Sequence, residues 1–241
     1  MLNMKNDITA IFLTLNKVPW QDFHREKMLE AIGDIPLITF SRLPMDLPGL
    51  QFRQNEEQSH EKIYRLMLEG AKIATTDYIA MVEDDMLYAP DHFLLRPPLD
   101  TFGYNWNRWS LFTWGEPMFS FKRRYCNGCS ILPRLEMIDA LQERFSKHEN
   151  IPHILNGELG YERVEKNLGV KVRKSMPMYS KTPVVQVQHT FGTPGIGRAN
   201  PDPERDTLDL EERKTRRRHG MIRAYEVPTW GRAEELVKHF I

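Results

Sequence analysis

Apolar runs alternate with amphipathic segments over the first ninety residues of the chain. Three short runs, at residues 7–15, 35–40 and 78–82, are almost continuously apolar, which predicts strands that are buried on both faces. Between them, residues 21–32 and 60–74 place apolar side chains at helical spacing, which predicts two amphipathic helices. This alternation of strands and helices predicts an α/β protein in which helices cover the faces of a parallel sheet.

The second half of the chain has shorter and less regular patterns. Trp106, Trp109 and Trp114 lie within residues 105–114, where we expect strands or loops that line a cleft. Their indoles would either stack on a ligand or pack against the protein. The remaining patterns predict strands at 128–132, 170–176 and 184–187, and helices at 134–145, 157–167 and 229–241.

Three consecutive acids, Glu83, Asp84 and Asp85, follow the apolar run at residues 78–82. Carboxylates at the end of a buried strand cost free energy unless something neutralises them. A divalent cation is a suitable partner because hard cations prefer oxygen ligands. The alternative is a solvated acidic turn. Ligands of parallel sheets bind beyond the carboxyl ends of the strands, so the position of the triplet favours a binding site.

Other polar side chains are expected near this edge of the sheet. Thr14 and Asn16 follow the first predicted strand and therefore end at the same edge as the acids. His189 follows a later strand and precedes a glycine-rich loop, either as a metal ligand or as a polar loop residue. Arg198 ends that loop, which could approach phosphates. Glu158 falls in the first turn of a predicted helix, where the helix dipole alone would stabilise an acid.

Composition narrows the class of protein. The chain has 241 residues, of which 41% are hydrophobic and 27% charged, as in a globular protein with a sizeable core. Its formal net charge of zero argues against a uniformly basic nucleic-acid-binding protein. The basic segment 213–223, which follows acidic residues at 201–212, is either a solvated helix or a phosphate-facing patch.

Two further features bear on the compartment. Cys126 and Cys129 form a C-x-x-C motif, but the chain has no second cysteine pair to complete a zinc site and no thioredoxin-like pattern around the motif. No N-terminal apolar segment follows a basic start, and no apolar stretch is long enough to span a bilayer. We therefore expect a cytoplasmic protein without a transmembrane segment.

The order of these parts resembles that of nucleotide-sugar glycosyltransferases of the GT-A fold, particularly the family-two type. The motif VEDD is similar to the acidic Asp-x-Asp strand end of that family, and the resemblance covers most of residues 7–195. It implies a GT-A-like catalytic domain at 1–200 and a charged helical C-terminal tail at 201–241. Residues 1–95 would form the nucleotide-binding half, a Rossmann-like mostly parallel sheet flanked by helices, and residues 96–200 the acceptor-side half with a smaller sheet.

The resemblance also implies a metal site. Asp85 would be the direct ligand of a divalent cation, and His189 would complete the coordination from another strand. Glu83 and Asp84 would approach the ribose or the metal. Oxygen ligands together with one histidine suit Mn²⁺ or Mg²⁺ better than zinc.

Further roles are implied on both sides of this metal site. Thr14 and Asn16 match the loop that holds the nucleotide base, and Arg198 would add positive charge near the phosphates. Gly128 matches a small residue on the acceptor side. Glu158, in the sequence NGELGY, resembles the acid that opens the acceptor-facing helix, where the catalytic base of the family is found.

We therefore expect a metal-dependent glycosyltransferase of the hexosyltransferase type, with an inverting mechanism, that uses a nucleotide-sugar such as a UDP-sugar. The acceptor hydroxyl would belong to a saccharide or to a modified base in DNA. Two alternatives stay open. A nucleotidyltransferase also uses strand-end acids and a metal, although the loop after the first strand lacks the glycines that this class needs. A non-catalytic module could instead bind nucleic acid through the basic segment.

Overall fold

The computed structural model describes residues 7–55, 59–121, 123–151, 157–189 and 222–241. Arg198 and most of the charged tail, up to residue 221, lie outside the described residues. In chain order, the strands are β1 (Ile8–Leu13), β2 (Leu37–Ser41), β3 (Leu50–Arg53), β4 (Tyr78–Glu83), β5 (Met86–Leu87), β6 (Thr101–Asn105), β7 (Arg108–Phe112), β8 (Phe119–Phe121), β9 (Ser130–Pro133), β10 (Lys174–Met178), β11 (Val184–Gln188), β12 (Ile222–Ala224), β13 (Glu226–Val227) and β14 (Gly231–Arg232).

Seven strands form the main sheet, in the order β10-β6-β9-β4-β1-β2-β3. Neighbouring strands run parallel except at β9, which is antiparallel to both β4 and β6. Every residue of β1 is buried, as its apolar run predicts for a central strand. The mostly parallel sheet is therefore confirmed. Strand β3 lies at the end of a proline-rich segment in which we expected only a loop.

The helices are α1 (Gln21–Ile32), α2 (His60–Ile73), α3 (Arg134–Lys147), α4 (Glu162–Leu168) and the short α5 (Ala233–Leu236). Helix α1 packs on one face of this sheet, and α2 and α3 pack on the other. Helix α5 packs against the smaller sheet. Ser59 caps α2 by accepting a hydrogen bond from the backbone N–H of Lys62, as its position predicts. The helix predicted at 157–167 begins only at Glu162, so Glu158 lies in a turn that precedes α4 rather than in its first turn.

A smaller sheet packs beside the main one, with strand order β12-β8-β7-β11-β5. Strand β5 follows β4 after a two-residue turn and pairs antiparallel with β11. This pairing joins the two sheets directly after the acid triplet. It brings the end of β11, where His189 follows, alongside the acids. The predicted α/β architecture with a second, smaller sheet is confirmed.

The C-terminal segment differs from its prediction. Residues 229–241 do not form one amphipathic helix, because β14 is followed by the four-residue α5 and a 3₁₀ turn at Val237–Phe240. Thr229 and Gly231 have φ angles of 75° and 70°, which a helix cannot contain. Phe240 packs edge-on against Trp20 and Phe23, so this segment is part of the body of the molecule. Within the described residues, no helix has the length and apolar character required to cross a membrane.

Candidate active site

The acid triplet lies where the two sheets meet. Glu83 is the last residue of β4, and Asp84 and Asp85 form the turn that leads into β5. Thr14, just after the neighbouring strand β1, donates its hydroxyl hydrogen to Asp84 Oδ2 at 2.5 Å. The indole Nε1 of Trp20 donates to the backbone carbonyl of Asp84 at 2.9 Å. The side chain and backbone of Asp84 are therefore both fixed by the loop that follows β1.

Asp85 faces the smaller sheet. Its backbone carbonyl accepts a hydrogen bond from the N–H of Val187 at 2.7 Å. Its Oδ2 lies 3.4 Å from Nε2 of Gln186 and 3.8 Å from Nε2 of His189. Its Oδ1 is buried and has no hydrogen-bond partner among the described residues. The structure thus brings together Asp85 and His189, which are more than a hundred residues apart in the sequence. Buried polar atoms normally have a hydrogen-bond partner, so the Oδ1 atom of Asp85 is a candidate ligand atom for a cation.

Burial shifts the pKa values of these groups in a consistent way. Loss of hydration raises the pKa of Glu83 well above its usual range and that of Asp85 to about 8, and the neighbouring Asp84 charge adds to both shifts. Burial also raises the pKa of Asp84 itself, although the hydrogen bond from Thr14 opposes the shift. The pKa of His189 is lowered to about 4 by burial, so its imidazole is neutral near pH 7.

This donor set fits a divalent cation only in part. Asp85 offers an unpartnered oxygen, and neutral His189 offers a ring nitrogen on the same side. No group of three or more histidine, cysteine or acidic side chains within the described ranges is arranged to hold a metal ion. A cation bound here would therefore take its remaining ligands from water and from a bound ligand, as Mg²⁺ commonly does with phosphates.

Glu158 lies in the turn that precedes α4. Its turn is held at three backbone carbonyls: Arg144 donates to Gly157 at 2.9 Å, the hydroxyl of Tyr104 donates to Leu159 at 2.7 Å, and the N–H of Tyr161 donates to Glu158 itself at 3.3 Å. Burial raises the pKa of Glu158, and its charge in turn raises the pKa of Glu83. These two carboxyl groups therefore share one electrostatic environment.

The side-chain amide of Asn16 forms hydrogen bonds to other residues of the protein. Its Oδ1 accepts hydrogen bonds from the backbone N–H groups of Arg42 and Leu43 at 2.9 and 3.0 Å, and its Nδ2 donates to Gln21 at 3.2 Å. Asn16 also has a left-handed φ angle of 54°, which asparagine tolerates better than most residues. It therefore fixes the loops after β1 and β2 relative to each other.

Gly128 forms the wall of the cleft beside Glu83. A Cβ atom at this position would lie 2.2 Å from the sulfur of Met86 and 2.9 Å from Oε2 of Glu83, so only glycine fits. The hydroxyl of Tyr88 donates to the Gly128 carbonyl at 2.8 Å and accepts from the backbone N–H of Glu83 at 3.1 Å. This residue was expected on the acceptor side, and its contact with Glu83 was not visible in the sequence.

The two cysteines flank Gly128 and are not joined by a disulfide bond. Cys129 is buried and Cys126 is partly exposed. A hydrogen bond from Cys129 lowers the pKa of Cys126 to about 5, with support from the charges of Arg108 and Arg124. A thiolate at Cys126 raises the pKa values of Glu83, Asp85 and Glu158, so its charge acts on all three carboxyl groups.

Sequence reasoning missed two residues of the smaller sheet. Arg108, the first residue of β7, is only 2% exposed, and its Nη1 donates to Oε1 of Gln186. Gln186 in turn reaches Asp85 through its Nε2. The available signal was an arginine beside two tryptophans in a segment where strands or loops were expected. That signal became informative only when the pairing of β7 with β11 showed what lies beside it.

The tryptophans have separate environments. Trp106 lies 6.0 Å from the ring of Tyr125, Trp109 packs on Phe121 and Trp114 packs on Phe112. Trp109 belongs to the core beneath the smaller sheet. Packing therefore accounts for Trp109, whereas Trp106 lies in the group of rings next to the turn that holds Glu158.

No family model matches the sequence, and no curated protein matches it. Similar solved structures include a mannosyltransferase from Pyrobaculum calidifontis in complex with GDP-Man and Mn²⁺, at 12% identity and a TM-score of 0.43, over 76% of this chain and 57% of that one. Another is a glycosyltransferase involved in glycosylation of the major capsid of PBCV-1, at 11% identity and a TM-score of 0.45, over 76% and 93%.

A third is the inositol-1-phosphate CTP transferase from T. maritima, at 9% identity and a TM-score of 0.43, over 76% of this chain and 89% of that one. The chain thus spans little more than half the length of the mannosyltransferase. Identities of 9–12% and TM-scores below 0.5 carry no conclusion about the function of this chain.

Proposed function

We propose that the protein is a metal-dependent glycosyltransferase that moves a sugar from a nucleotide-sugar to an acceptor hydroxyl. One observation carries this proposal. A buried, unpartnered oxygen belongs to Asp85, the neutral imidazole of His189 lies 3.8 Å from the other oxygen of that carboxyl group, and the charge of Glu158 acts on the neighbouring Glu83. A cation-holding pair opposite a proton acceptor is what transfer from a diphosphate donor to a hydroxyl requires.

Asp85 and His189 would hold Mn²⁺ or Mg²⁺, with nitrogen ligation favouring Mn²⁺. When bound, the cation supplies Lewis-acid stabilisation of the departing diphosphate. Glu83 and Asp84 would face the ribose side of the donor, where the hydrogen bond from Thr14 fixes the orientation of the Asp84 carboxylate. Asn16 would act by holding the base-side loops in place, since its amide is already bonded to the protein. Arg198 remains a candidate for further phosphate contact.

Glu158 would be the catalytic base. The acceptor oxygen attacks the anomeric carbon, the bond from that carbon to the phosphate oxygen breaks, and the nucleoside diphosphate leaves. The proton of the acceptor hydroxyl passes to the carboxylate of Glu158. Its raised pKa makes it a stronger base than a solvated glutamate, which suits this task. Attack from the side opposite the leaving group gives inversion. The acceptor would be a saccharide or a modified base in DNA.

Thermal unfolding with and without ligands tests this proposal. We expect a UDP-type nucleoside diphosphate to raise the melting temperature only when Mn²⁺ is present, and Asp85→Ala to abolish the shift. Asp100→Asn is a matched control, because Asp100 is an exposed acid that pairs with Lys174 on the surface. Stabilisation by a nucleoside triphosphate but by no diphosphate or sugar nucleotide would instead indicate a nucleotidyltransferase. Salt-sensitive DNA binding without any nucleotide response would indicate a binding module.

A further inference from the structure

We propose that Arg108 binds the diphosphate group of the nucleotide ligand from the side of the smaller sheet, as the anion-binding partner of Asp85. This inference rests on the proposed function, because it assigns a residue to the same donor site. It adds a binding residue from β7, a strand in which the sequence indicated only aromatic side chains.

Arg108 is a buried arginine with a guanidinium nitrogen that has no hydrogen-bond partner. The side chain is 2% exposed, and its hydrogen bond to Gln186 Oε1 engages Nη1 only. Its Nε is buried without a partner, and no carboxylate of the described residues lies within ion-pair distance of its guanidinium. A thiolate at Cys126, whose pKa Arg108 helps to lower, offsets part of this buried charge, and a bound anion would pair with it directly at the unpartnered Nε.

Two other buried arginines have structural roles and are held in different ways. Arg144 is 1% exposed, donates to the Gly157 carbonyl and lies over the ring of Tyr64. Arg173 is held by carboxylates. Arg173 is 3% exposed in its side chain, and three carboxylates surround it: Asp139 at 2.7 Å, Glu143 at 2.9 Å and Glu136 at 3.8 Å. Its guanidinium is thus neutralised within the protein. Arg108 has comparable burial but only a neutral amide as its partner.

The surroundings of Arg108 identify the ligand as the diphosphate. Gln186 joins Arg108 to Asp85, since its Oε1 accepts from the arginine and its Nε2 lies 3.4 Å from the carboxylate. Arg124 reaches the same Gln186 oxygen at 3.5 Å, which adds a second positive charge on this side. The charge of Arg108 also lowers the pKa values of Asp85 and Glu158, as a cation between the two sides of the cleft would. An anion that bridges from a cation at Asp85 would meet this guanidinium.

Binding measurements on Arg108→Met test the inference. Calorimetry measures the binding of UDP, GDP and the corresponding nucleoside monophosphates, each in the presence of Mn²⁺. We expect Arg108→Met to weaken diphosphate binding about 100-fold, because removing one partner of a buried charge pair costs several kcal/mol. The monophosphates, which lack the second phosphate, should lose much less. Arg108→Lys keeps the charge without the planar fork and should lie between the two.

A second measurement separates this role from a structural one. Without ligand, Arg108→Met should be at least as stable as the wild type, because it removes a buried, unpaired charge. Arg173→Met is the matched control: it should lower stability and leave the diphosphate affinity within about threefold, as expected for a mutation distant from the site.

The outcomes are distinct. If the wild type binds a diphosphate and Arg108→Met binds it equally well, the assignment of Arg108 is wrong and the proposed function stands. If the wild type binds no nucleoside diphosphate with Mn²⁺, the proposed function fails, and this assignment fails with it. If Arg108→Met does not fold, the charge is structural unless Arg108→Lys folds and shows the selective loss of diphosphate binding.

Discussion

Replacement of Asp85 by asparagine should make the protein more stable at alkaline pH while it removes the response to metal. Burial raises the pKa of Asp85 to about 8, so the folded state holds its proton more tightly than the unfolded chain does. Stability is therefore lost as the pH rises from the ordinary value near 3.8 through about 8, where the buried carboxyl group must ionise. Asparagine keeps the shape of the side chain and has no proton to lose.

The size of the gain follows from two opposing effects. The full shift of the pKa corresponds to about 5–6 kcal/mol above pH 8, at roughly 1.4 kcal/mol for each pH unit. The amide leaves a buried donor at the position of the unpartnered Oδ1, which costs about 1–3 kcal/mol. One-fifth of the side chain is exposed, and this contact with water reduces the penalty of ionisation. We expect a net gain of about 3 kcal/mol above pH 8 and a net loss of about 1–3 kcal/mol at pH 4, where only the penalty of the buried amide acts.

Urea unfolding of the two proteins between pH 4 and pH 9, in the presence of EDTA, measures this difference. The variant should be the less stable protein at pH 4, the two stability curves should cross between about pH 5 and pH 6, and the variant should be the more stable protein above that. Addition of Mn²⁺ should stabilise the wild type at pH 8 and leave Asp85→Asn unchanged. If the two proteins have equal free energies of unfolding at every pH, or if the variant is less stable at every pH, Asp85 is not a buried carboxyl group that binds a cation.

Three further predictions concern the supporting structure. Gly128→Ala should lower the free energy of unfolding by about 1–3 kcal/mol and reduce activity, because the added methyl group meets Glu83. Gly169→Ala has no atom within 4 Å of the added methyl group, so it should lose only about 1 kcal/mol, from the left-handed φ angle. Urea unfolding and activity assays compare the two variants. Arg173→Met should lower stability by about 1–3 kcal/mol in urea unfolding, since Asp139 and Glu136 lose this partner while Glu143 keeps its bond to Lys147. Burial lowers the pKa of His24 to about 4, so this residue destabilises the fold as the pH falls from 6.5 to 4. The free energy of unfolding should therefore decrease less steeply over this pH range in His24→Leu than in the wild type.

The strand and helix pattern of the first half could be predicted because local signals and tertiary packing agree there. The run that became β1 is apolar at every position, and Ser59 marks the start of α2. Strand β3 was missed because its residues are largely exposed at the sheet edge, where apolar patterning is weak. The C-terminal segment was predicted as one helix because apolar spacing does not reveal the positive φ angle of Thr229.

The candidate site could be predicted where its residues lie at strand ends. The carboxyl-end rule placed the acid triplet, and with it Asp85, at the edge of the main sheet. His189 directly follows β11 of the smaller sheet and was assigned to the same site only through the family resemblance; its Nε2 lies 3.8 Å from Oδ2 of Asp85. Arg108 could not be found in this way. Its importance depends on the pairing of β7 with β11, which is set by contacts distant in sequence. The hydrogen bonds by which the Asn16 amide joins two loops also form only in the folded chain, so the sequence could not predict them.

The most direct test of the proposed activity is hydrolysis of sugar nucleotides without an acceptor. The wild type is incubated with a panel of UDP-, GDP-, CDP- and dTDP-sugars, with Mn²⁺ or with EDTA, and the released nucleoside diphosphate is measured. We predict slow release from at least one donor that requires the metal and disappears in Asp85→Asn. A folded protein that releases diphosphate from none of these donors, with Mn²⁺ or Mg²⁺, would contradict the assignment as a glycosyltransferase.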